Sequence, residues 1–405
     1  MTRPRSPWRL HASSAPCTFA SLSSPSTLQN GAPHSNPHTA SAVSLAAQTL
    51  LAANTVAFPT ETVYGLGALA LNTHAAAKIF TTKGRPADNP LIVHVSSLAM
   101  LRSLLPATYT LSPAYDALIR HFWPGALTLL FPSDPHTVPS IITAGHPSVA
   151  VRMPSHPVAR ALIAVANAPI AAPSANSSGK PSPTRAEHVL RDLGGKLAVI
   201  LDGGFCDVGV ESTVVDGLAE DGALRVLRPG GVTVEDLERV LAEELGARAP
   251  RVLVHRRDFH DEGMEAAPTT PGMKYRHYSP AVPVTLLYTS VPSPMDALRT
   301  SAADFFASLR SPEASRPTRV GLLTPSDSRL LAYAGALDGV EWFPFPLGTL
   351  TEPAISAQRL FDGLLTLEQE GVDLILVEEV AEEKEGLAFM NRIKKAASTS
   401  RWLEL

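Results

Sequence analysis

Residues 59–67 read PTETVYGLG, and residues 83–94 read KGRPADNPLIVH. The first stretch follows an apolar run, residues 55–58, that predicts a buried strand, and a proline ends this strand because it has no N–H for the sheet ladder. Gly65 and Gly67 then predict a loop in which both are free to take positive φ angles. Ligands of open α/β sheets collect at such strand ends, so the loop predicts a binding site. A polar turn between a strand and a helix is the alternative.

Composition limits the classes of protein that this chain can belong to. Its 405 residues predict two or three domains at roughly 100–200 residues each, and 45% hydrophobic residues can form their cores. The net charge of −4 gives no overall basic surface of the kind that a dedicated nucleic-acid binder has, although a local basic patch stays open. Two cysteines, Cys17 and Cys206, are too few for a disulfide framework and indicate a reducing compartment.

No metal-binding spacing such as CxxC or HExxH is present, and no apolar run reaches the roughly 20 residues that span a bilayer. We therefore expect a soluble, cytoplasmic protein without membrane contact. Residues 1–40 are rich in Ser, Pro and Ala and carry arginines but no acidic residue. This composition predicts a disordered tail, with a mitochondrial transit segment as the alternative.

Residues 41–245 alternate between strand-like and helix-like segments, which predicts one α/β domain. Strands are predicted at 56–58, 91–95, 126–131, 149–152, 169–172 and 198–201, and helices at 40–53, 73–82, 112–121, 156–167 and 185–193. Residues 246–283 break this pattern and are interpreted as a linker or lid that contains PGMKYRHYSP, residues 271–280.

Residues 284–405 predict a smaller, Rossmann-like domain. Its predicted parallel strands are 284–288, 319–323 and 373–377, and its predicted helices are 295–309, 353–370 and 386–397. A GxGxxG fingerprint is missing from this part, so no dinucleotide is predicted there.

Cations and hydroxyls follow several strands of the first domain. The cations are Lys83, Arg85, Arg152, Lys180 and Arg228, and the hydroxyls are Thr62, Ser174, Ser182 and Ser212. Arginine forks bind phosphate oxygens in pairs and lysine acts as a point charge, so the set predicts a polyphosphate ligand. No P-loop sequence is present. For any one of these residues, an ordinary surface cation is the alternative.

These segments resemble the Sua5/YrdC/YciO family in its two-domain Sua5 form. The matching stretches are PTETVYGLG, KGRPADNPLIVHV, FWPGALTLL, SVAVRMPSHP, APSANSSGKPSPT, DGGFCDVGVESTVVD and LRPGG, followed by PGMKYRHYSP and EGLAFMNRIKKAAS. The resemblance implies a YrdC-like twisted open sheet followed by a Sua5 C-terminal domain. It also implies a nucleotidyltransferase that condenses L-threonine, bicarbonate or CO2, and ATP to threonylcarbamoyl-AMP and pyrophosphate.

The resemblance also implies roles for single residues. It assigns L-threonine to Thr62, His94, Arg152, Ala172 and Ser212. It assigns ATP to Arg85, Asn89, Ser148, Ser174, Ser182 and Arg228, with a linker tyrosine, Tyr275 or Tyr278, over the nucleotide. Lys83 and Arg85 are the catalytic candidates, and Mg²⁺ is held through the ATP phosphates rather than by protein ligands.

The product implied by the resemblance passes to a threonylcarbamoyl transferase machinery that forms t6A in tRNA. The alternative interpretation is a module that binds double-stranded RNA or tRNA without this chemistry. Threonine-dependent exchange between ATP and pyrophosphate distinguishes the enzyme from the module.

Overall fold

The structure, a computed structural model, describes residues 18–21, 37–261, 277–290, 299–310, 316–334 and 339–405. These residues form two sheets, one mixed and one parallel, each flanked by helices. None of the described helices is long and apolar enough to cross a membrane.

The first sheet has 11 strands in the order β1-β8-β2-β3-β7-β4-β6-β5-β9-β10-β11. The strands are β1 (Thr18–Ser21), β2 (Val56–Phe58), β3 (Gly65–Leu69), β4 (Ile92–His94), β5 (Leu127–Pro132), β6 (Ser148–Arg152), β7 (Ile170–Ala171), β8 (Val199–Asp202), β9 (Thr213–Asp216), β10 (Leu224–Arg228) and β11 (Val252–Val254). The sheet contains both parallel pairs, such as β4 with β6, and antiparallel pairs, such as β2 with β3. This mixed sheet confirms the predicted α/β class.

Helices cover both faces of this sheet. They are α1 (Pro37–Leu51), α2 (Thr73–Lys83), α3 (Leu98–Arg102), α4 (Pro113–Phe122), α5 (Ser140–Thr143), α6 (Pro157–Ala166), α7 (Ala186–Leu193) and α8 (Val234–Leu245). Asn72 begins α2 by accepting the backbone N–H of Ala75, and Gly84 ends it in the left-handed region at φ 62°. Thus α2 stops directly before Arg85 and turns the chain toward the strand ends.

The second sheet has six strands, all parallel, in the order β13-β17-β12-β16-β14-β15. The strands are β12 (Val284–Tyr288), β13 (Arg299–Ser301), β14 (Thr318–Thr324), β15 (Val340–Pro346), β16 (Leu374–Glu378) and β17 (Thr399–Glu404). Its helices are α9 (Ala302–Ser308), α10 (Leu330–Ala334), α11 (Pro353–Glu370) and α12 (Glu385–Ala396). The parallel sheet confirms the predicted Rossmann-like second unit.

The sequence prediction for the glycine loop is wrong. Gly65 and Gly67 lie in β3 and not in a positive-φ loop. A side chain at Gly67 would come within 2.6 Å of Phe58 and 2.9 Å of Ile170, so glycine is needed there for close strand packing. The predicted linker 246–283 begins with an ordered strand, because β11 pairs in parallel with β10.

The termini of two other predicted segments also differ. Within the tail predicted to be disordered, β1 pairs with β8 at the sheet edge and α1 begins at Pro37; the other residues of 1–36 lie outside the described residues. The helix predicted over 295–309 is shorter, because residues 299–301 form β13 and the helix runs only from 302 to 308. Its predicted start, 295–298, lies outside the described residues.

The two units share a buried apolar contact. Val63 and Val210 of the first unit belong to the same core cluster as Phe361 and Phe389 of the second. A side chain at Gly209 would come within 2.1 Å of the carbonyl oxygen of Gln358 on α11, so the loop before β9 packs directly against the second unit. This contact lies beside the strand ends that carry the predicted site.

Candidate active site

Nine of the predicted ligand-binding residues meet in one pocket at the strand ends of the first unit. The predicted residues that line it are Thr62, Arg85, His94, Arg152, Ala172, Ser174, Ser212, Arg228 and Tyr278. Thr62 is supplied by the connection between β2 and β3, His94 and Arg152 end neighbouring parallel strands, and Arg228 ends β10. Residues far apart in the chain are therefore brought together by the sheet order.

Arg152 is fixed at the base of this pocket. Its Nε donates to the carbonyl of Gly125 at 3.0 Å and its Nη1 donates to Thr62 Oγ1 at 2.8 Å. Its Nη2 donates to the carboxylate of Glu61 in a buried ion pair. A guanidinium has further N–H groups, and held in this way it can present them to a carboxylate ligand in a defined direction.

Glu61 is a site residue that the sequence reasoning missed. Its Oε2 accepts the backbone N–H of Ser155 at 3.1 Å and that of His156 at 3.4 Å. Burial opposes its ionisation, but the charge and hydrogen bond of Arg152, together with the His156 amide, hold the pKa of Glu61 below its usual value. The signal was available, since Glu61 is the only carboxylate in PTETVYGLG.

Ser212 and Arg228 form the opposite wall. The Arg228 guanidinium donates to the carbonyl of Ser212 at 2.8 Å, and Ser212 Oγ lies 2.7 Å from Thr128 Oγ1. Burial lowers the pKa of Arg228, with Glu211 acting in the opposite direction. A side chain at Gly230 would come within 2.2 Å of the carbonyl oxygen of Glu211, so the turn after Arg228 packs tightly on the chain before β9.

Lys83 is buried beside the pocket but is not one of the residues that line it. Its buried Nζ donates to the carbonyls of Ser174 and Asn176. Burial, followed by the nearby charge of Arg85, holds the pKa of Lys83 well below its usual value. In this arrangement Lys83 fixes the loop after β7, which carries Ser174 into the pocket.

Arg85, Asn89 and Ser148 lie toward the other end of the β4–β6 pair. Arg85 donates to the carbonyl of Asn89 at 3.3 Å and to that of Pro90 at 3.0 Å, and burial lowers its pKa to about 10. Ile92 pairs with Ala150, so Ser148, at the start of β6, lies on the same side as the segment before β4. Asn89 and Ser148 are not lining residues of the pocket, although Asn89 Oδ1 is buried without a partner among the described residues.

His94 is buried between the two halves of the pocket. Its Nδ1 lies 3.2 Å from the carbonyl of Ile92, and because a carbonyl only accepts, Nδ1 carries the hydrogen. Burial and the Arg152 charge lower the pKa of His94 to about 3. The imidazole is therefore neutral at physiological pH and adds no charge to the pocket.

A second buried carboxylate, Glu211, was missed from the sequence, and unlike Glu61 it lines the pocket. It accepts from Ser182 Oγ at 2.6 Å and from Nε of Arg392 on α12 at 3.0 Å. Burial opposes its ionisation, but the charges of Arg392 and Arg228 lower the pKa of Glu211 to about 2. Ser182 thus points toward Glu211 and is not itself a lining residue.

The end of the linker closes the pocket. His277 and Tyr278 line it, and Tyr278 is buried at φ 68° with its ring 5.2 Å from that of Phe361 on α11. The remaining cavity is about 50 Å³, whereas pockets for small molecules typically hold roughly 300–1,000 Å³. Tyr275, the other tyrosine proposed from the sequence, lies outside the described residues. A ligand as large as ATP needs this segment to move.

Two family models together match most of the chain. A model described as Telomere recombination (Sua5, YciO and YrdC) matches residues 48–230, and one described as Threonylcarbamoyl-AMP synthase, C-terminal domain, matches residues 232–398. Threonylcarbamoyl-AMP synthase of Schizosaccharomyces pombe is 42% identical over 374 residues, which cover 85% of each chain. The chain belongs to the Sua5/YrdC/YciO family.

Two matches from Pyrococcus abyssi agree with this assignment, one in sequence and one in fold. Its threonylcarbamoyl-AMP synthase is 42% identical and covers 84% of this chain and 90% of its own length. A crystal structure of P. abyssi Sua5 complexed with L-threonine has a TM-score of 0.72 at 40% identity and covers 90% of this chain and 96% of its own. The predicted membership in the two-domain Sua5 form of the family is therefore confirmed.

Proposed function

We propose that this protein is an L-threonylcarbamoyladenylate synthase. It condenses L-threonine, bicarbonate or CO2, and ATP to threonylcarbamoyl-AMP and pyrophosphate. The observation that carries the proposal is the convergence of Arg85, Arg152 and Arg228 on one closed pocket with neutral His94. Three guanidiniums at one pocket can bind two anionic groups at once, the carboxylate of an amino acid and the polyphosphate of a nucleotide.

We propose that the amino acid binds at the Arg152 end. The Arg152 guanidinium, which Glu61 and Thr62 hold in place, pairs with the threonine carboxylate. Ser212 and the backbone of Ala172 border the other side of the bound amino acid. Neutral His94 borders the amine without adding charge. After losing one proton to solvent, the amine nitrogen attacks CO2. The N–C bond forms as one C–O π bond breaks, and a second N–H proton passes to solvent to leave the carbamate anion.

We propose that ATP extends from Ser174 and Arg228 toward Arg85, Asn89 and Ser148, with Tyr278 over the nucleotide. A carbamate oxygen attacks the α-phosphorus as the bond to the β-phosphate breaks, and pyrophosphate leaves. This displacement depends on positioning and charge neutralisation rather than on a protein nucleophile. Arg85 acts on the phosphates, and Lys83 acts by holding the loop of Ser174.

Mg²⁺ enters with ATP in this proposal. Among the described residues there is no group of three or more His, Cys, Asp or Glu side chains that could hold a metal ion, so the phosphates are its expected ligands. When bound to the ATP phosphates, Mg²⁺ would neutralise part of their charge. The adenylate then passes to a threonylcarbamoyl transferase machinery that modifies tRNA.

Incubation with ATP, L-threonine, bicarbonate and Mg²⁺ tests the proposal, with mass spectrometry of threonylcarbamoyl-AMP as the readout. We expect the adenylate only when all substrates are present, and an equal amount of pyrophosphate. Its absence from folded protein would overturn the proposal.

An RNA-binding module is the second candidate, and one observation favours it. A cleft of about 640 Å³ between the two units is lined by basic residues from both, among them Arg256, Arg257 and Lys394, together with the carboxylate of Glu382, which pairs with Lys394. Clustered cations bind the phosphate backbone of RNA. Salt-sensitive tRNA binding by protein that forms no adenylate would favour the module over the enzyme.

A further inference from the structure

Arg392 belongs to the second unit, yet its guanidinium is buried against the pocket of the first. It lies on α12 and has no solvent-exposed surface. Its Nε donates to Glu211 Oε2 at 3.0 Å, its Nη1 donates to the carbonyl of Pro229, and its guanidinium carbon lies 5.9 Å from the centre of the Tyr278 ring. Burying this cation costs desolvation energy, which only close partners can offset.

Both acceptors of Arg392 adjoin residues of the pocket wall. Glu211 lines the pocket and precedes Ser212, and Pro229 follows Arg228. The Arg228 guanidinium donates to the carbonyl of Ser212, so the same two segments are also joined on the pocket side. Arg392 therefore joins the Glu211 segment and the Arg228–Pro229 segment on the side away from the pocket, and Arg228 joins them on the pocket side.

The charges explain why a cation is needed at this point. The Glu211 carboxylate lies at a pocket that we propose binds the ATP phosphates and a carbamate, all of them anionic. Arg392 and Arg228 are the two charges that stabilise the ionised form of Glu211. Without Arg392, the negative charge of Glu211 would be less neutralised and would repel an anionic ligand.

We infer that Arg392 is a positioning residue through which the second unit completes the active site, by holding Glu211 and the Arg228–Pro229 segment and by neutralising Glu211. The inference rests on the proposed function for its substrates. It assigns a role in substrate binding to a unit that carries none of the predicted catalytic residues. Arg392 acts through Glu211 and Arg228 and does not itself line the pocket.

Arg185 supplies a matched control. It makes an ion pair between the same two units, donating to both carboxylate oxygens of Asp362 at 2.8 and 3.1 Å, although its side chain is about half exposed. Arg185 does not line the pocket and lies over the ring of Phe205 instead. Loss of Arg185 weakens the contact between the units without changing the charge beside Glu211.

The test compares Arg392→Met, Arg392→Lys and Arg185→Met in the full chain, with thermal unfolding measured for each. For Arg392→Met we expect the KM for ATP to rise about tenfold or more, the fold-change typical of a lost charged hydrogen bond. Arg392→Lys keeps the charge and is expected to lie between this variant and the wild type, and it serves if the methionine variant does not fold. Arg185→Met is expected to keep the KM for ATP within about twofold.

The double variant Arg392→Met/Glu211→Gln separates the effect of the Glu211 charge on ATP binding from a loss of protein stability. If the repulsion comes from Glu211, removing its charge lowers the KM for ATP relative to Arg392→Met alone. An unchanged KM in both Arg392 variants, or an equal rise in Arg185→Met, would overturn the inference. Adenylate formation by the wild type, measured in parallel, tests the proposed function separately.

Discussion

Arg85 is the side chain whose removal should affect the proposed chemistry most selectively. It is buried, its fixed contacts are to backbone carbonyls, and it lines the pocket. Arg85→Ala should lower kcat/KM for ATP by roughly 10–150-fold, because loss of a charge-assisted contact costs about 1.5–3 kcal/mol. Steady-state kinetics with ATP varied measure this, with Arg239→Ala, an exposed arginine of α8, as the control. An unchanged kcat/KM would remove Arg85 from the site.

Glu211 should make the fold sensitive to acid. Its pKa is lowered to about 2 from an ordinary value of 4.5, so the folded state favours the ionised carboxylate. This stabilisation is fully present above pH 4.5 and is lost as the pH falls toward 2. It amounts to about 3 kcal/mol as an order of magnitude.

Chemical unfolding at a series of pH values measures this contribution in the wild type and in Glu211→Gln. The variant should be less stable at neutral pH, and its stability should fall less between pH 4.5 and 2. Glu243→Gln, which changes an exposed glutamate of α8, is the control. Parallel pH curves for the wild type and Glu211→Gln would contradict the assignment.

At the level of single residues, sequence reasoning found many of the residues that line the pocket, but it missed Glu211, which also lines it, and Glu61, which holds Arg152. Arg152 ends the strand predicted at 149–152, so its position at the strand ends could be expected from the sequence. Glu61 and Glu211 act by pairing with arginines that are distant in the chain, and sequence spacing carries no signal of that pairing. The ligand roles of the facing residues stay predictions.

At the level of elements, strands were predicted most reliably where the sequence has an unbroken run of apolar residues. The β2 strand, residues 56–58, was predicted with its observed bounds. The next strand, β3, was missed because its glycines indicate turns locally, whereas tertiary packing against Phe58 selects them. The β11 strand was missed because it is short and lies in a charged segment, and its pairing with β10 forms only in the folded sheet.

A protein that begins at Pro37 should fold and keep its activity. It lacks β1, a strand of four residues at the edge of the first sheet whose only pairing is with β8 in the described part of the chain. A protein that begins at Ala52 also lacks α1, whose buried Val43, Ala46 and Leu50 pack in the core, and should not fold.

Adenylate formation and thermal unfolding of both truncated proteins check this prediction. A loss of activity in the protein that begins at Pro37 would make the N-terminal segment part of the functional unit. It would also move the predicted domain start away from residue 41.

The end of the linker should act as a lid over the adenylate. Replacing residues 272–279 with a Gly/Ser segment of equal length removes His277 and Tyr278, which close the pocket. We expect both units to remain folded and the yield of intact threonylcarbamoyl-AMP to fall more than threonine affinity, because water then reaches a hydrolysable product.

Mass spectrometry of the intact adenylate and calorimetric titration of threonine provide the two readouts for the lid. A Gly/Ser replacement of residues 262–269 is the control for linker flexibility. If the 272–279 variant forms and retains the adenylate like the wild type, the segment is only a strap between the two units.

At the level of the whole molecule, the two sheets were predictable and the contact between them was not. Alternating strand and helix patterns indicated two α/β units, and the parallel order of the second agrees with its buried apolar strands. The contact depends on Gly209, which lets the chain approach α11, and on the buried pair of Arg392 with Glu211. Neither feature has a local sequence pattern, because both depend on positions far apart in the chain. The predicted domain limits at 245 and 284 stay predictions.

The most direct test of the account is the formation of threonylcarbamoyl-AMP by the purified full chain. The protein is incubated with Mg²⁺, ATP, L-threonine and ¹³C-bicarbonate, and the adenylate is detected by mass spectrometry. We predict a product that carries one labelled carbon, that disappears when threonine or ATP is omitted, and that is strongly reduced in Arg85→Ala. Folded wild-type protein that binds threonine and ATP but forms no labelled adenylate would contradict the account.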